Sequence, residues 1–304
     1  MKELKRINGL IAAPFTAFDE NDELNLSIIE EQQAMYKRNG LSGVFICGTT
    51  GESSALSVVE KKILFKEWSN YKEPGFKIIA FLGGTSIKEC QELAIYAQKC
   101  DLDAVSVTAP YYFKPNNVNT LAQFCKEIAD VVPEMPFYYY NIPVFTGVNF
   151  PMIKLLEIVD ETIPNFAGIK FTHENMMDYQ LCLNFKNKKY NILWGRDEML
   201  LPALSIGATS AVGSTYGYLT PLYLRIIQLF NEQKIEEAAQ LQLKAIQFIQ
   251  LLEKFGGGCG KAYMRNIGFN MGKHRMPVVN LTHDEELQLQ SLLKDMNFSE
   301  YCNK

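Results

Sequence analysis

Histidine is scarce in this chain of 304 residues: the three present, His173, His274 and His283, lie far apart and show no HExxH-type spacing. That spacing argues against a metal site built on histidine and leaves only a carboxylate cage open. Cysteine pairs are also missing, since the seven cysteines are odd in number and contain no CxxC. A disulfide framework and a thioredoxin-type motif are therefore not expected, and a reducing cytoplasm is the simplest location. No apolar stretch approaches the roughly 18 to 20 residues of a membrane span. The opening MKELKRINGLIAAPFTAF carries basic residues before an apolar run, but Pro14 interrupts that run and acidic residues follow, so it is not read as a signal peptide. Positive charge is not in excess: the formal net charge is -4 and the pI about 5.6. Nucleic acid is therefore not an expected partner. The glycine run Gly256-Gly257-Gly258-Cys259-Gly260-Lys261 lacks the first glycine and the closing Ser or Thr of a P-loop, with Phe255 and Ala262 in those places, and reads as a hinge between helices.

What the chain does have is 47% hydrophobic residues, enough for one large core. Eight short apolar, β-branched or aromatic runs recur along it: 9–13, 43–47, 77–82, 104–108, 136–140, 167–171, 191–194 and 211–213. Segments of helical period lie between them. Cys90, Leu93, Ala94 and Ala97 fall at i, i+3, i+4 and i+7, as do Leu121, Phe124, Cys125 and Ile128. Ser57-x-x-Glu60, Ser86-x-x-Glu89 and Thr120-x-x-Gln123 read as capping boxes, and Asn39-Gly40 as a helix stop. Eight strand–helix alternations predict a parallel α/β sheet closed as a (β/α)8 TIM barrel. An open doubly wound sheet is the alternative, but no GxGxxG follows the first strand. The barrel is expected over residues 1–230. Residues 231–304, with two long amphipathic segments, are expected to form a C-terminal helical extension packed on it or against another subunit.

In such a barrel the reactive groups sit where strands end. Lys170, in Gly168-Ile169-Lys170-Phe171-Thr172, stands inside an apolar run. There it is either a lysine with its head in water, or one held neutral and so nucleophilic towards carbonyls. Gly48-Thr49-Thr50-Gly51 after the second strand allows N–H groups and hydroxyls to converge on a carboxylate. Tyr111-Tyr112 follows the fourth strand and Tyr138-Tyr139-Tyr140-Asn141 ends the fifth; each tyrosine is a core residue with a wet tip or a proton carrier. Gly195-Arg196-Asp197-Glu198 ends the seventh, its carboxylates serving a helix start or a polyol. Gly213-Ser214-Thr215-Tyr216 ends the eighth.

In this order, GTTGES, YNIP, GIKFT, GRDE and GSTY resemble the class I, Schiff-base-forming pyruvate aldolases, a family with neuraminate-lyase and dihydrodipicolinate-synthase branches. The resemblance implies that Lys170 forms the Schiff base, that Tyr140 moves protons and that Thr49 and Thr50 bind the pyruvate carboxylate. Tyr112, or Tyr111 one residue earlier, matches the aromatic residue that neighbouring subunits exchange. A homotetramer, no cofactor and no metal are likewise implied. Synthases acting on a semialdehyde carry an arginine after the YNxP turn; this chain has Phe145 there, which cannot pair with a carboxylate. GRDE is similar to the G-x-D-E with which the neuraminate-lyase branch grips its sugar. By that match Gly195, Asp197, Glu198 and Ser214 contact an open-chain sugar and Thr172 lies beside it. The implied reaction cleaves sialic acid to N-acetylmannosamine and pyruvate. Another class I pyruvate aldolase, acting on a 2-keto-3-deoxy sugar acid or as a dihydrodipicolinate synthase, and a catalytically silent binding barrel are the alternatives.

Overall fold

The computed structural model describes residues 6–304; Lys2 and Lys5 of the basic opening segment lie outside the described residues. Eight parallel strands close on themselves in chain order. They are β1 (Gly9–Ala12), β2 (Gly43–Ile46), β3 (Lys77–Gly83), β4 (Ala104–Thr108), β5 (Phe137–Asn141), β6 (Phe166–Phe171), β7 (Asn191–Trp194) and β8 (Ser210–Gly213). β8 pairs back onto β1 with Ala12 opposite Gly213, which closes the cylinder. The fold is the expected (β/α)8 barrel.

Helices alternate with the strands: α1 (Ile29–Arg38), α2 (Val58–Ser69), α3 (Ile87–Lys99), α4 (Val118–Ala129), a short α5 (Pro143–Thr146), α6 (Met152–Thr162), α7 (Met176–Asn184), α8 (Leu200–Ser205) and α9 (Tyr216–Asn231). After them come α10 (Ile235–Phe255), α11 (Cys259–Asn266), α12 (His283–Asp295) and α13 (Phe298–Tyr301). α10 packs along α9, and the glycine run separates α10 from α11. No helix among the described residues is long and apolar enough to cross a membrane.

Strand alternation divides the apolar residues into two bodies. One set of faces points outward to the helices and forms the larger core. The other fills the lumen with Ile11, Phe45, Ile79, Phe81, Tyr138, Tyr140, Leu193 and Val212. At the N-terminal end of the strands Asn191 closes this lumen, accepting from Tyr138 Oη at 3.0 Å and pairing with the Ile7 backbone.

Three expected capping boxes fare differently. Ser57 and Glu60 form a reciprocal box before α2. Ser86 accepts from the Glu89 N–H, without the returning bond. The third expectation is corrected: Asn117, not Thr120, caps α4, because its carboxamide oxygen accepts from the Thr120 N–H at 2.9 Å and starts the helix three residues earlier. At the end of α1, Gly40 takes φ +86, as the Asn39-Gly40 stop requires.

Candidate active site

Lys170 reaches the site through an irregularity in its strand. Phe137 pairs with Phe166 but Tyr138 pairs with Gly168, so Ala167 is an extra residue on β6. This bulge brings Lys170 directly opposite Tyr140, with both side chains turned into the lumen. Lys170 is only 4% exposed. Its Nζ lies 4.1 Å from the centre of the Phe45 ring and 4.0 Å from that of Tyr140. No carboxylate forms an ion pair with it among the described residues. Burial therefore pushes the ammonium down to about 7, with the Asp197 charge pulling part of the way back. An amine in this state is neutral in a large fraction of molecules near neutral pH, which makes it a nucleophile.

Tyr140 stands against Phe45 and Phe81, both edge-on, at 5.5 and 5.7 Å between ring centres. Burial pushes its phenol up to about 12, moderated by the hydroxyls of Thr49 and Thr172. It rests as a phenol, with Oη 3.4 Å from Thr49 Oγ1. A proton can pass along this pair without a lasting charge on Tyr140.

The turn carrying Thr49 and Thr50 is bracketed by two left-handed residues, Cys47 at φ +55 and Glu52 at φ +59. Glu52 N–H donates to Thr49 O at 3.0 Å, Ser53 N–H to Gly48 O at 3.1 Å, and Thr16 Oγ1 to Gly51 O at 2.7 Å. The N–H groups of Thr49 and Thr50 have no protein acceptor among the described residues. Thr49 is exposed and Thr50 partly so, which leaves hydroxyls and N–H groups available to an anion.

The ends of β7 and β8 are locked together. Asp197, 6% exposed, accepts from both the N–H and the hydroxyl of Thr215, at 2.9 and 2.6 Å. Burial pushes its carboxyl up to about 7; the two Thr215 bonds oppose the rise and the Glu198 charge adds to it. Asp197 packs against the backbone of Gly213, where a Cβ would collide with the carboxylate. A Cβ on Gly195 would likewise strike Thr172 Oγ1, so both glycines are required by close approach. Of the two readings of these carboxylates, side-chain capping is not realised, since the 3-10 turn at Asp197–Met199 has no side-chain cap, although both stand in its first turn. Glu198 pairs instead with Arg196 Nη2 at 2.8 Å, and Arg196 Nη1 with Glu174 at 2.9 Å. Ser214 and Gly195 are partly exposed, and the Thr172 hydroxyl is buried without a well-formed hydrogen bond.

Lys170, Tyr140, Thr49 and Thr172 thus converge, and Asp197 lies close enough for its charge to act on Lys170. Tyr112 does not join them within one chain: it is 81% exposed and packs edge-on against Phe113 at 5.1 Å. Sequence reading missed Phe45, Thr215 and Arg196. The alternation of β2 could have revealed Phe45. Thr215 stood within the quoted GSTY, but only the fold shows that it faces Asp197. Gln242, on α10, was not anticipated either: it accepts from Leu201 N–H at 3.0 Å and donates to Asp197 O at 3.2 Å, and so supports the β7 loop from behind.

Known proteins share this fold. The profile of the Dihydrodipicolinate synthetase family matches residues 6–296. An N-acetylneuraminate lyase of Rattus norvegicus is 35% identical over 300 residues, covering 97% of this chain and 94% of the relative. The solved structure of Proteus mirabilis N-acetylneuraminate lyase superposes with a TM-score of 0.94 at 35% identity, over 97% of this chain and 100% of that one. A sialic acid aldolase structure from Aliivibrio salmonicida gives a TM-score of 0.93 at 35% identity, over 97% and 98% of the two chains.

Proposed function

The chain belongs to the dihydrodipicolinate synthetase family, and on that footing we propose that it is an aldolase that cleaves N-acetylneuraminate to N-acetylmannosamine and pyruvate through a Schiff base on Lys170. The observation that carries this reading is the Lys170 amine itself, buried among aromatic rings with no ion-pair partner and held near 7. The likeness to lyases of that name, at 35% identity over nearly the whole chain, supports the choice of substrate.

The neutral Nζ of Lys170 adds to the C2 ketone of the open-chain sugar acid, and loss of water leaves an iminium. The iminium draws electrons from the C3–C4 bond. Tyr140 accepts the proton of the C4 hydroxyl as its own proton passes to Thr49 Oγ1, 3.4 Å away, and the Thr49 hydroxyl hands its proton on to the substrate carboxylate it holds. The C3–C4 bond breaks, the aldehyde sugar leaves, and the electron pair stays as an enamine on Lys170. Protonation at C3 and hydrolysis release pyruvate and restore the amine. Thr49 and Thr50 hold the carboxylate, so that the ketone faces Lys170. Glu198 and Ser214 receive sugar hydroxyls at the rim, with Thr172 and Gly195 beside them. Asp197, already engaged by Thr215, sets the rim's shape and presents its remaining acceptor capacity to the sugar. The mechanism requires no cofactor. Phe145, 67% exposed on α5, favours a sugar over a semialdehyde carboxylate because it offers no cation.

We also infer a homotetramer. Tyr111, Tyr112 and Phe113 on the β4 loop and Val144 and Phe145 on the neighbouring β5 loop leave large apolar side chains exposed, between 45 and 86%, on adjacent loops. A second copy covering them would bring its Tyr112 towards the Tyr140–Thr49 pair. The seven free cysteines suit a reducing, cytoplasmic setting.

The deciding experiment incubates the protein with pyruvate and borohydride and maps the added mass. Modification of Lys170, together with pyruvate released from N-acetylneuraminate, is the expected result. A label on another lysine, or release from 2-keto-3-deoxygluconate alone, would reject the assignment. Tyr140→Phe is expected to cut turnover roughly 100-fold or more while trapping at Lys170 persists.

A further inference from the structure

Behind the Thr49–Thr50 turn lies a buried charged cluster that the mechanism does not use. Glu52, 7% exposed, turns its side chain away from the turn towards the C-terminal segment. Its Oε1 lies 2.9 Å from Lys261 Nζ and 3.0 Å from His274 Nδ1, and its Oε2 accepts from the Arg275 N–H at 2.9 Å. Lys261 is fully buried; its Nζ also donates to Lys273 O at 2.7 Å and lies 4.4 Å from the centre of the Phe18 ring. Arg275 stacks on Phe18 at 4.1 Å. It then donates through Nη1 to Ala55 O at 3.0 Å, in the 3-10 turn that follows Glu52, and pairs through Nη2 with Glu60 at 2.6 Å. His274 meets the Phe15 ring edge-on at 6.0 Å. Burial alone raises the Glu52 carboxyl, but His274 and Lys261 outweigh it and hold it below its usual range.

A left-handed backbone is unfavourable for a non-glycine residue, so something must hold Glu52 at φ +59. The buried ion pair does so, and the Glu52 N–H in turn fixes Thr49 O. We propose that Glu52 is a positioning residue: anchored by Lys261, His274 and Arg275, it sets the geometry in which Thr49 and Thr50 receive the keto-acid carboxylate, so that residues more than two hundred positions away tune substrate affinity. The proposal rests on the carboxylate-binding role given to that turn above.

The test compares wild type, Glu52→Asp, Glu52→Gln and the double variant Glu52→Gln/Lys261→Met. It measures the pyruvate concentration that half-saturates borohydride trapping on Lys170, the trapped yield at saturation, and Tm. Breaking one side of a buried pair leaves an uncompensated charge, so Glu52→Gln is expected to be the least stable. The double variant buries no unpaired charge and carries the test where the single one does not fold. In the folded variants that lack the carboxylate, half-saturation is expected to rise about 10-fold with the plateau kept within twofold, because misplaced binding groups weaken the complex. Glu52→Asp, which retracts the carboxylate by one methylene, is expected to fall between these and wild type. A folded double variant with wild-type half-saturation, whatever its Tm, would reduce Glu52 to a structural role and overturn the proposal. If wild type traps nothing, the Schiff-base reading has failed on its own account. Glu52 is then judged on pyruvate affinity by calorimetry, where equal affinities overturn it.

Discussion

An amine that changes charge near neutrality makes acid a direct inhibitor of this site. As pH falls through about 7, Lys170 takes a proton and loses the lone pair that attacks the ketone. The expected kcat/KM profile therefore has an acid limb near 7. The Asp197 charge raises the Lys170 value, so Asp197→Asn, which keeps an acceptor for Thr215, is expected to move that limb to lower pH by roughly half a unit to one unit. A limb that stays in place or moves upward would show that Asp197 does not act on the amine. The same residues tilt stability. Lys170 lies below its unfolded value, so the unfolded chain binds more protons between about 7 and 10.5. The cost of burying this amine is fully present below that window and is lost as pH rises through it. Asp197 lies above its unfolded value of 3.8, so its cost is fully present above about 7 and fades as pH falls from there towards 3.8. Lys170 was legible in the sequence as a choice between a wet strand end and a neutral nucleophile. Choosing between them from the residues needs Phe45, which stands on another strand.

Among the elements, the strands were the most readable part, because each is a short buried run bounded by turn residues. No strand end differs from its expected place by more than one residue, and β4 and β7 match at both ends. The bulge in β6 was not readable, because a bulge exists only relative to the partner strand and Tyr138 gives no local sign of it. Helix α4 shows a second limit. Thr120-x-x-Gln123 and Asn117-x-x-Thr120 both satisfy the spacing for a cap, and the backbone adopts the earlier one. Asn117→Ala is expected to cost about 1 kcal/mol in urea unfolding, and Thr120→Ala clearly less. Equal losses would return the cap to Thr120. The GRDE segment was readable as a carboxylate pair, but not the division between them. Asp197 is buried against Thr215, and Glu198 stays at the rim with Arg196.

The whole molecule shows what order along the chain can and cannot carry. Eight strand–helix alternations were enough to foresee a closed barrel, and closure brings the motifs at the ends of β2, β5, β6, β7 and β8 to one mouth. Contacts that join Glu52 to Lys261 and His274 were out of reach, since nothing near either segment announces the other. The exposed aromatic loops give a prediction at this scale. Phe113→Asp, at 86% exposure, is expected to leave the fold intact but to lower the oligomeric state in light scattering and to reduce activity in parallel. A variant that keeps the wild-type mass in solution would remove these loops from the assembly surface.

The rings of Phe45 and Tyr140 do more than dehydrate the lysine beside them. A planar carbon skeleton attached to its nitrogen is expected to lie beside them, with the Tyr140 hydroxyl on the side where its bond is made and broken. In the condensing direction the oxygen of an incoming aldehyde must meet that hydroxyl, so the handedness of the new stereocentre is expected to be dictated by where one phenol stands rather than by the preferences of the sugar.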